Sequence, residues 1–226
     1  ILINSKYAEL LKEVNNEYNT TKNESLNDRV LIIDGLNQFI RVFGAVPALN
    51  DDGEHCGGVT GFLLSTAATI RRLKPTRVII IFDGKGGSNR RKSVYKGYKE
   101  GRTGLTKLNR LAGYEDLEDQ RVSMRNQFKR LIEYLQILPI TMTYIDYVEA
   151  DDIIGTLAMQ TQEFGMDEPV MIISSDKDFI QLQKYKNVKQ WSPIQKKFVT
   201  DKNPRTYLFN LIMIGDTGDG IPNVLS

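Results

Sequence analysis

The apolar positions of this chain fall into two kinds of run. Val30–Ile33, Val78–Phe82 and Val170–Ile173 are short, β-branched and free of polar alternation. That is the pattern of strands covered on both faces of a parallel sheet. Ile140–Ile145 predicts a fourth strand. Between these runs, apolar residues recur at helical spacing over Val59–Leu73, stopped by Pro75, over Leu117–Leu138, stopped by Pro139, and over Ala150–Phe164. Strands alternating with helices predict right-handed βαβ units and a doubly wound α/β sheet. Residues 187–200 read as a β-hairpin with Pro193 near its turn, and a last helix is predicted over Arg205–Ile214, before GDTGDGIPNV. Residues 1–27 are polar with a short helical pattern and read as an N-terminal extension to a single domain over 28–226.

Composition narrows the chemistry. The 226 residues, 41% apolar and 26% charged, suit a globular domain with a real core. No apolar run approaches the roughly 20 residues of a membrane span, and the first residues resemble neither a signal peptide nor an anchor. The expectation is a cytoplasmic protein with no membrane partner. Cys56 is the single cysteine, so no internal disulfide can form and a reducing compartment fits. His55 is the single histidine, so neither zinc nor a Ser-His-Asp triad is supported. In its polar, glycine-flanked segment His55 reads as a surface residue. Phosphate-binding glycine motifs are absent after the first strand. The chain starts without Met and stops at Ser226, which reads as a fragment or a trimmed chain.

The acids form a pattern of their own. Val30–Ile33 is followed by Asp34, Val78–Phe82 by Asp83, and Val170–Ile173 by Ser174, Ser175 and Asp176. Ile140–Ile145 is followed by Asp146, then by Glu149, Asp151 and Asp152 where the next helix should begin. In a parallel sheet the carboxyl ends of the strands share one edge, where open α/β folds place their sites. Each acid has a structural explanation as well: an Asp after a strand often caps the next helix, Asp178 is a good cap candidate, and Asp152 suits a helix dipole. As a set they are harder to dismiss. Two carboxylates about 4 Å apart repel by on the order of 4 kcal/mol at an effective dielectric near 20. Oxygen-only donors select hard ions, so a magnesium- or manganese-dependent centre is predicted, and two ions would suit in-line displacement at phosphorus. Asp216 and Asp219, in GDTGDG, have the wrong spacing for a calcium loop and by themselves read as a turn.

Net charge is only +2, yet Lys85–Arg110 holds nine basic residues and one acid, Glu100. Within it Tyr95 and Tyr98 are interleaved with Arg90, Arg91, Lys92, Lys96, Lys99 and Arg102. Cations neutralise phosphates and aromatic rings stack on unpaired bases, so the glycine-rich insert at 84–115 reads as a nucleic-acid arm beside the acid edge. A solvated loop is the plainer alternative.

DGLN at 34–37, FDG at 82–84, RRKSVYKGYKEGR at 90–102, VEADD at 148–152, SSDKDFIQL at 174–182 and IGDTGDGIPNV at 214–224 resemble, in order, the motifs of the 5′ nuclease superfamily. That group includes flap endonucleases and phage 5′-3′ exonucleases. YKNVKQWSPIQKKFVT at 185–200 is particularly similar to the T-even phage ribonuclease H branch. The resemblance implies a PIN-like fold and metal ligands at Asp34, Asp83, Glu149, Asp151, Asp152, Asp176, Asp178, Asp216 and Asp219. The first six would serve a metal beside the scissile phosphate. Asp178, Asp216 and Asp219 would serve a second, with Asp176 between the two. Two magnesium ions are implied as cofactors, with manganese as a substitute. Catalysis would rest on Asp34, Asp83, Asp151 and Asp176, with Arg91 and Lys99 from the arch steadying the phosphate. Strand contacts would come from Arg90, Arg91, Lys92, Tyr95, Lys96, Tyr98, Lys99 and Arg102.

The implied activity is divalent-metal-dependent 5′-3′ hydrolysis of RNA primers in RNA/DNA hybrids and of 5′ flaps on branched DNA during lagging-strand replication. Implied partners are single-stranded-DNA-binding protein and a sliding clamp. The enzyme would be a monomer, in the infected bacterial cell if phage-encoded. Where many relatives have Asp-Asn, this chain has Asp219-Gly220, and residues 216–226 would begin a helical DNA-binding region. The rival readings are a PIN-type endoribonuclease, a non-catalytic DNA-junction binder and a metal-dependent phosphatase.

Overall fold

The computed structural model describes residues 29–103, 113–163 and 169–224. The extension predicted over 1–27 and the middle of the basic insert lie outside the described residues. Six strands form one sheet: β1 (Val30–Asp34), β2 (Arg77–Ile81), β3 (Thr141–Thr143), β4 (Val170–Ile173), β5 (Val188–Ser192) and β6 (Lys197–Val199). Their spatial order is β3-β2-β1-β4-β5-β6, and every pairing is parallel except β5 with β6. The predicted hairpin is therefore real, and its first strand extends the sheet beside β4.

The helices are α1 (Gly35–Ala45), α2 (Gly57–Leu73), α3 (Asn89–Val94), α4 (Leu117–Gln136), α5 (Ala150–Glu163) and α6 (Pro204–Ile214). The described residues also hold two 3₁₀ turns, Glu100–Thr103 and Asp178–Lys184. The unalternating strands bury both faces, as their composition requires. On one face Val30 and Ile32 meet Ile79, Ile81, Ile153 and Ile154, the last two from α5. On the other, Leu31 and Ile33 meet Phe39 and Phe43 of α1, Phe62 of α2 and Leu131 of α4. Each such side chain contributes about 1.5–3 kcal/mol of burial, so β1 is held from both sides in the middle of the sheet.

Two expectations need correcting. The strand predicted over Ile140–Ile145 is only β3, and Tyr144 and Ile145 are exposed. The chain leaves the sheet there because residues 145–148 bond with the start of the basic insert: Gly84 N–H donates to Val148 O (3.1 Å) and Tyr147 N–H to Lys85 O (3.0 Å). A side chain at Gly84 would collide with the Ile145 carbonyl. His55 is buried rather than exposed. Its Nδ1 lies 2.5 Å from Tyr114 Oη, its Nε2 2.8 Å from Val46 O, and its carbonyl accepts from Gln127. It joins the segment before α2 to α4 and has no part in the acid edge.

Candidate active site

Parallel pairing delivers the acids to one rim. Asp34 ends β1 and is 6% exposed. Its Oδ1 accepts from Asn37 N–H (3.1 Å), capping α1, and its Oδ2 accepts from Ser174 Oγ (3.1 Å), just past β4. Asp83, two residues past β2, accepts through Oδ1 from Ala150 N–H (2.7 Å), the first residue of α5. Ser174 Oγ in turn accepts from Asp176 N–H (3.1 Å), and Asp176 Oδ1 accepts from Asp178 N–H (2.9 Å). The helix-cap reading therefore holds for Asp34. It fails for Asp178, whose own N–H is served by Asp176. Gln190 of β5 fixes the bend from beneath, donating to the carbonyls of Ser174 and Asp176.

Electrostatics show that these groups share one field. Burial, and then the charges of Asp83 and Asp176, raise the Asp34 carboxyl to about 6 against the bonds from Asn37 and Ser174. Burial pushes Asp151 to about 8, with Asp34, Asp176 and Asp83 adding to the shift and Lys99 opposing it. Burial also lifts Asp178 to about 6, aided by Asp176, Asp216 and Asp219. Asp216 additionally closes a turn, its Oδ1 accepting from the N–H groups of Gly218 and Asp219. The turn reading of GDTGDG is thus satisfied without removing these acids from the rim.

Glu149 and Asp152 are placed differently. Glu149 is buried and receives three groups from the basic insert: Arg91 Nη1 (2.5 Å), Tyr98 Oη (2.9 Å) and Lys99 Nζ (2.8 Å). Arg91 also grips Asp152 with two bonds of 2.8 Å. From sequence these two acids needed metal for neutralisation; here arginine and lysine supply it. Burial alone would lower the Lys99 and Arg91 values, but their acidic partners outweigh it and both are held raised and charged. Burial, with help from Glu149, pushes the Tyr98 phenol up.

Tyr98 is 5% exposed, with Arg91 and Lys99 over its ring at 5.9 and 4.9 Å. Its face is not open to a base, contrary to the stacking role drawn from sequence. Lys99 has φ 56 and donates its backbone N–H to Asp219 O (2.8 Å), which ties the insert to the C-terminal turn. Arg90, Lys92 and Lys96 are exposed and form no ion pair among the described residues, and Tyr95 is exposed as well. Arg102 lies in the Glu100–Thr103 turn.

The oxygen-only, mutually repelling donors fit a hard divalent cation. Their spacing is open: among the described residues no three acids stand close enough to hold an ion as placed. Sequence reasoning missed Ser174 and Gln190 as supports. Gln190 had a signal, being an inward polar residue in the alternating strand β5.

An acid-rimmed parallel sheet with a basic insert at its carboxyl edge defines a nuclease of the PIN-like α/β class. Residues 29–207 match the family model of the 5′-3′ exonuclease N-terminal, resolvase-like domain. The flap endonuclease Xni of Shewanella sp. (strain MR-4) is 32% identical over 207 residues, covering 87% of this chain and 70% of that protein. The 5′-3′ exonuclease of Buchnera aphidicola subsp. Acyrthosiphon pisum is 29% identical over 89% of this chain and 68% of its own. A pseudo-enzyme–product complex of the bacteriophage T5 D15 flap endonuclease with DNA and metal ions shares the fold at TM-score 0.67 and 18% identity, over 87% of this chain and 70% of that one. This chain belongs to the 5′-3′ exonuclease and flap endonuclease family.

Proposed function

We propose that the protein hydrolyses phosphodiester bonds of 5′ flaps and of RNA primers in RNA/DNA hybrids, with two divalent ions, magnesium in the cell. The observation that carries this is the convergence of Asp34, Asp83, Asp151, Asp176, Asp178, Asp216 and Asp219 in one field, facing a basic insert. The family fits the activity, and the T5 structure holds DNA and metal ions. Asp34, Asp83, Asp151 and Asp176 would hold one ion, joined by Glu149 and Asp152 once released. Asp178, Asp216 and Asp219 would hold the other, with Asp176 between the two. Such ions supply charge neutralisation at phosphorus and a water acidified enough to attack.

The chain's own groups do the rest. The cap and Ser174 bonds fix both oxygens of Asp34, and the Ala150 bond fixes Asp83. Arg91 and Lys99 keep their charge in place on Glu149 and Asp152, ready for an incoming phosphate to take over. Arg90, Lys92 and Lys96 would hold the strand beyond. A monomer acting in the cytoplasm of a bacterial host beside single-stranded-DNA-binding protein and a sliding clamp completes the proposal.

The test is cleavage of an end-labelled DNA flap, and of the same substrate with an RNA 5′ segment, in magnesium. Asp176→Asn should slow both by at least about 100-fold, since it removes a ligand shared by the two ions. Turnover near that of the unmodified protein would remove the two-ion assignment.

A further inference from the structure

Among the described residues, four non-glycine residues have positive φ. Lys74 ends α2 and Lys196 turns the β5–β6 hairpin. The other two, Lys99 and Tyr147 (φ 65), both sit where the basic insert is seated. A bulky aromatic residue rarely adopts this conformation, and glycine would adopt it without strain. The fold nevertheless keeps a tyrosine there, and its side chain is not spent on the core: Tyr147 is 66% exposed. Its backbone already fastens the joint through Lys85 O, so the ring is not needed for that.

The ring instead borders a cleft of about 590 Å³ between the root of the insert and the outer face of α5. Ile145, Val148 and Leu157 give it apolar walls, and Arg90, Thr156 and Gln160 give it polar edges. Arg90 carries an exposed charge with no ion pair among the described residues. Arg91 and Asp152 also line the cleft, so one ion pair separates it from the Glu149 side of the acid rim. A solvent-facing aromatic ring, an exposed cation, amide and hydroxyl groups and an apolar floor are together the means of holding one unpaired nucleotide.

We infer that this cleft is a nucleotide-binding subsite, in which an unpaired base of the single-stranded 5′ segment stacks on Tyr147 while Arg90 takes its phosphate. This rests on the nuclease reading and adds to it a place for a base outside the cleavage centre. Pairing edges are not used, so any base should be accepted and an abasic residue should not.

The experiment uses single-stranded and flap oligonucleotides carrying 2-aminopurine at successive positions, in EDTA to prevent cleavage. One position should show a fluorescence change on binding, lost in Tyr147→Gly and kept in Tyr147→Phe. Tyr147→Gly should weaken binding at least about fivefold, the low end of what one lost base–aromatic stack costs. Its melting temperature should not fall, because glycine relieves the backbone. An abasic nucleotide at the reporting position should reproduce the loss with unmodified protein. Unchanged affinity in Tyr147→Gly, or a 2-aminopurine signal that survives it, overturns the inference. Flap cleavage by the unmodified protein in magnesium is scored separately, so failure of the nuclease reading would show there and not in this comparison.

Discussion

Among the described acids of the rim, Asp151 is raised the furthest. Its carboxyl sits near 8 in the fold, against the ordinary carboxylate value near 4. Because the folded value is raised, the proton binds the folded state more tightly. That contribution to stability is complete below about pH 4 and is lost as pH climbs toward 8. The ion-free protein should therefore lose stability across this window. Asp151→Asn should flatten the loss and stabilise the fold at pH 8 by about 1–3 kcal/mol, at the cost of cleavage. Urea unfolding in EDTA at pH 5 and pH 8 measures it, and an identical pH dependence in the variant would clear Asp151 of the burden.

The basic insert acts as an element with two faces. Arg91, Tyr98 and Lys99 turn inward to Glu149, whereas Arg90, Lys92 and Lys96 stay outward. The outward set forms no ion pair among the described residues and can release counterions when a strand binds. Changing those three to Gln should reduce the salt slope of single-strand binding by about two, at roughly 0.7 per phosphate contact. A slope unchanged in a filter-binding titration would make the outward face a bystander.

This division was not legible in the sequence. The acids that pair with the insert lie 58 and 61 residues away from Arg91, so the local pattern showed cations with nothing to neutralise them. The sheet was legible because unalternating β-branched runs have few other uses, and the rim followed from parallel order. Helix α1 was not legible, although Phe39, Val42 and Phe43 bury one face of it. Its eleven residues include two glycines and follow the strand without a break, so the periodic signal was short. Strand β3 is shorter than its apolar run because Ile145 belongs to the seat of the insert, a tertiary demand that no local pattern records.

For the molecule as a whole, the proposed function implies that protons and divalent ions would compete for the same carboxylates. An ion at 100 times its dissociation constant adds about 2.7 kcal/mol, which in a chain this size lifts the melting temperature by about 5–10 °C. Magnesium should produce such a rise at pH 8 and a smaller one at pH 5, where Asp34, Asp151 and Asp178 are largely protonated. A thermal shift equal at both pH values, or absent with both magnesium and manganese, would contradict the assignment of the rim as the ion site.

The bond between Ser174 and Asp34 spans 140 residues of chain. It closes only after β4 has slotted in beside β1, between strands that are made early and strands that are made late. Parallel pairings of such separation are intrinsically slow to form. On a ribosome, therefore, Asp34 and Asp83 emerge well before β4, the strand that leads to Asp176. On the proposed function, the cutting edge would exist only once β4 has delivered Asp176 to the rim.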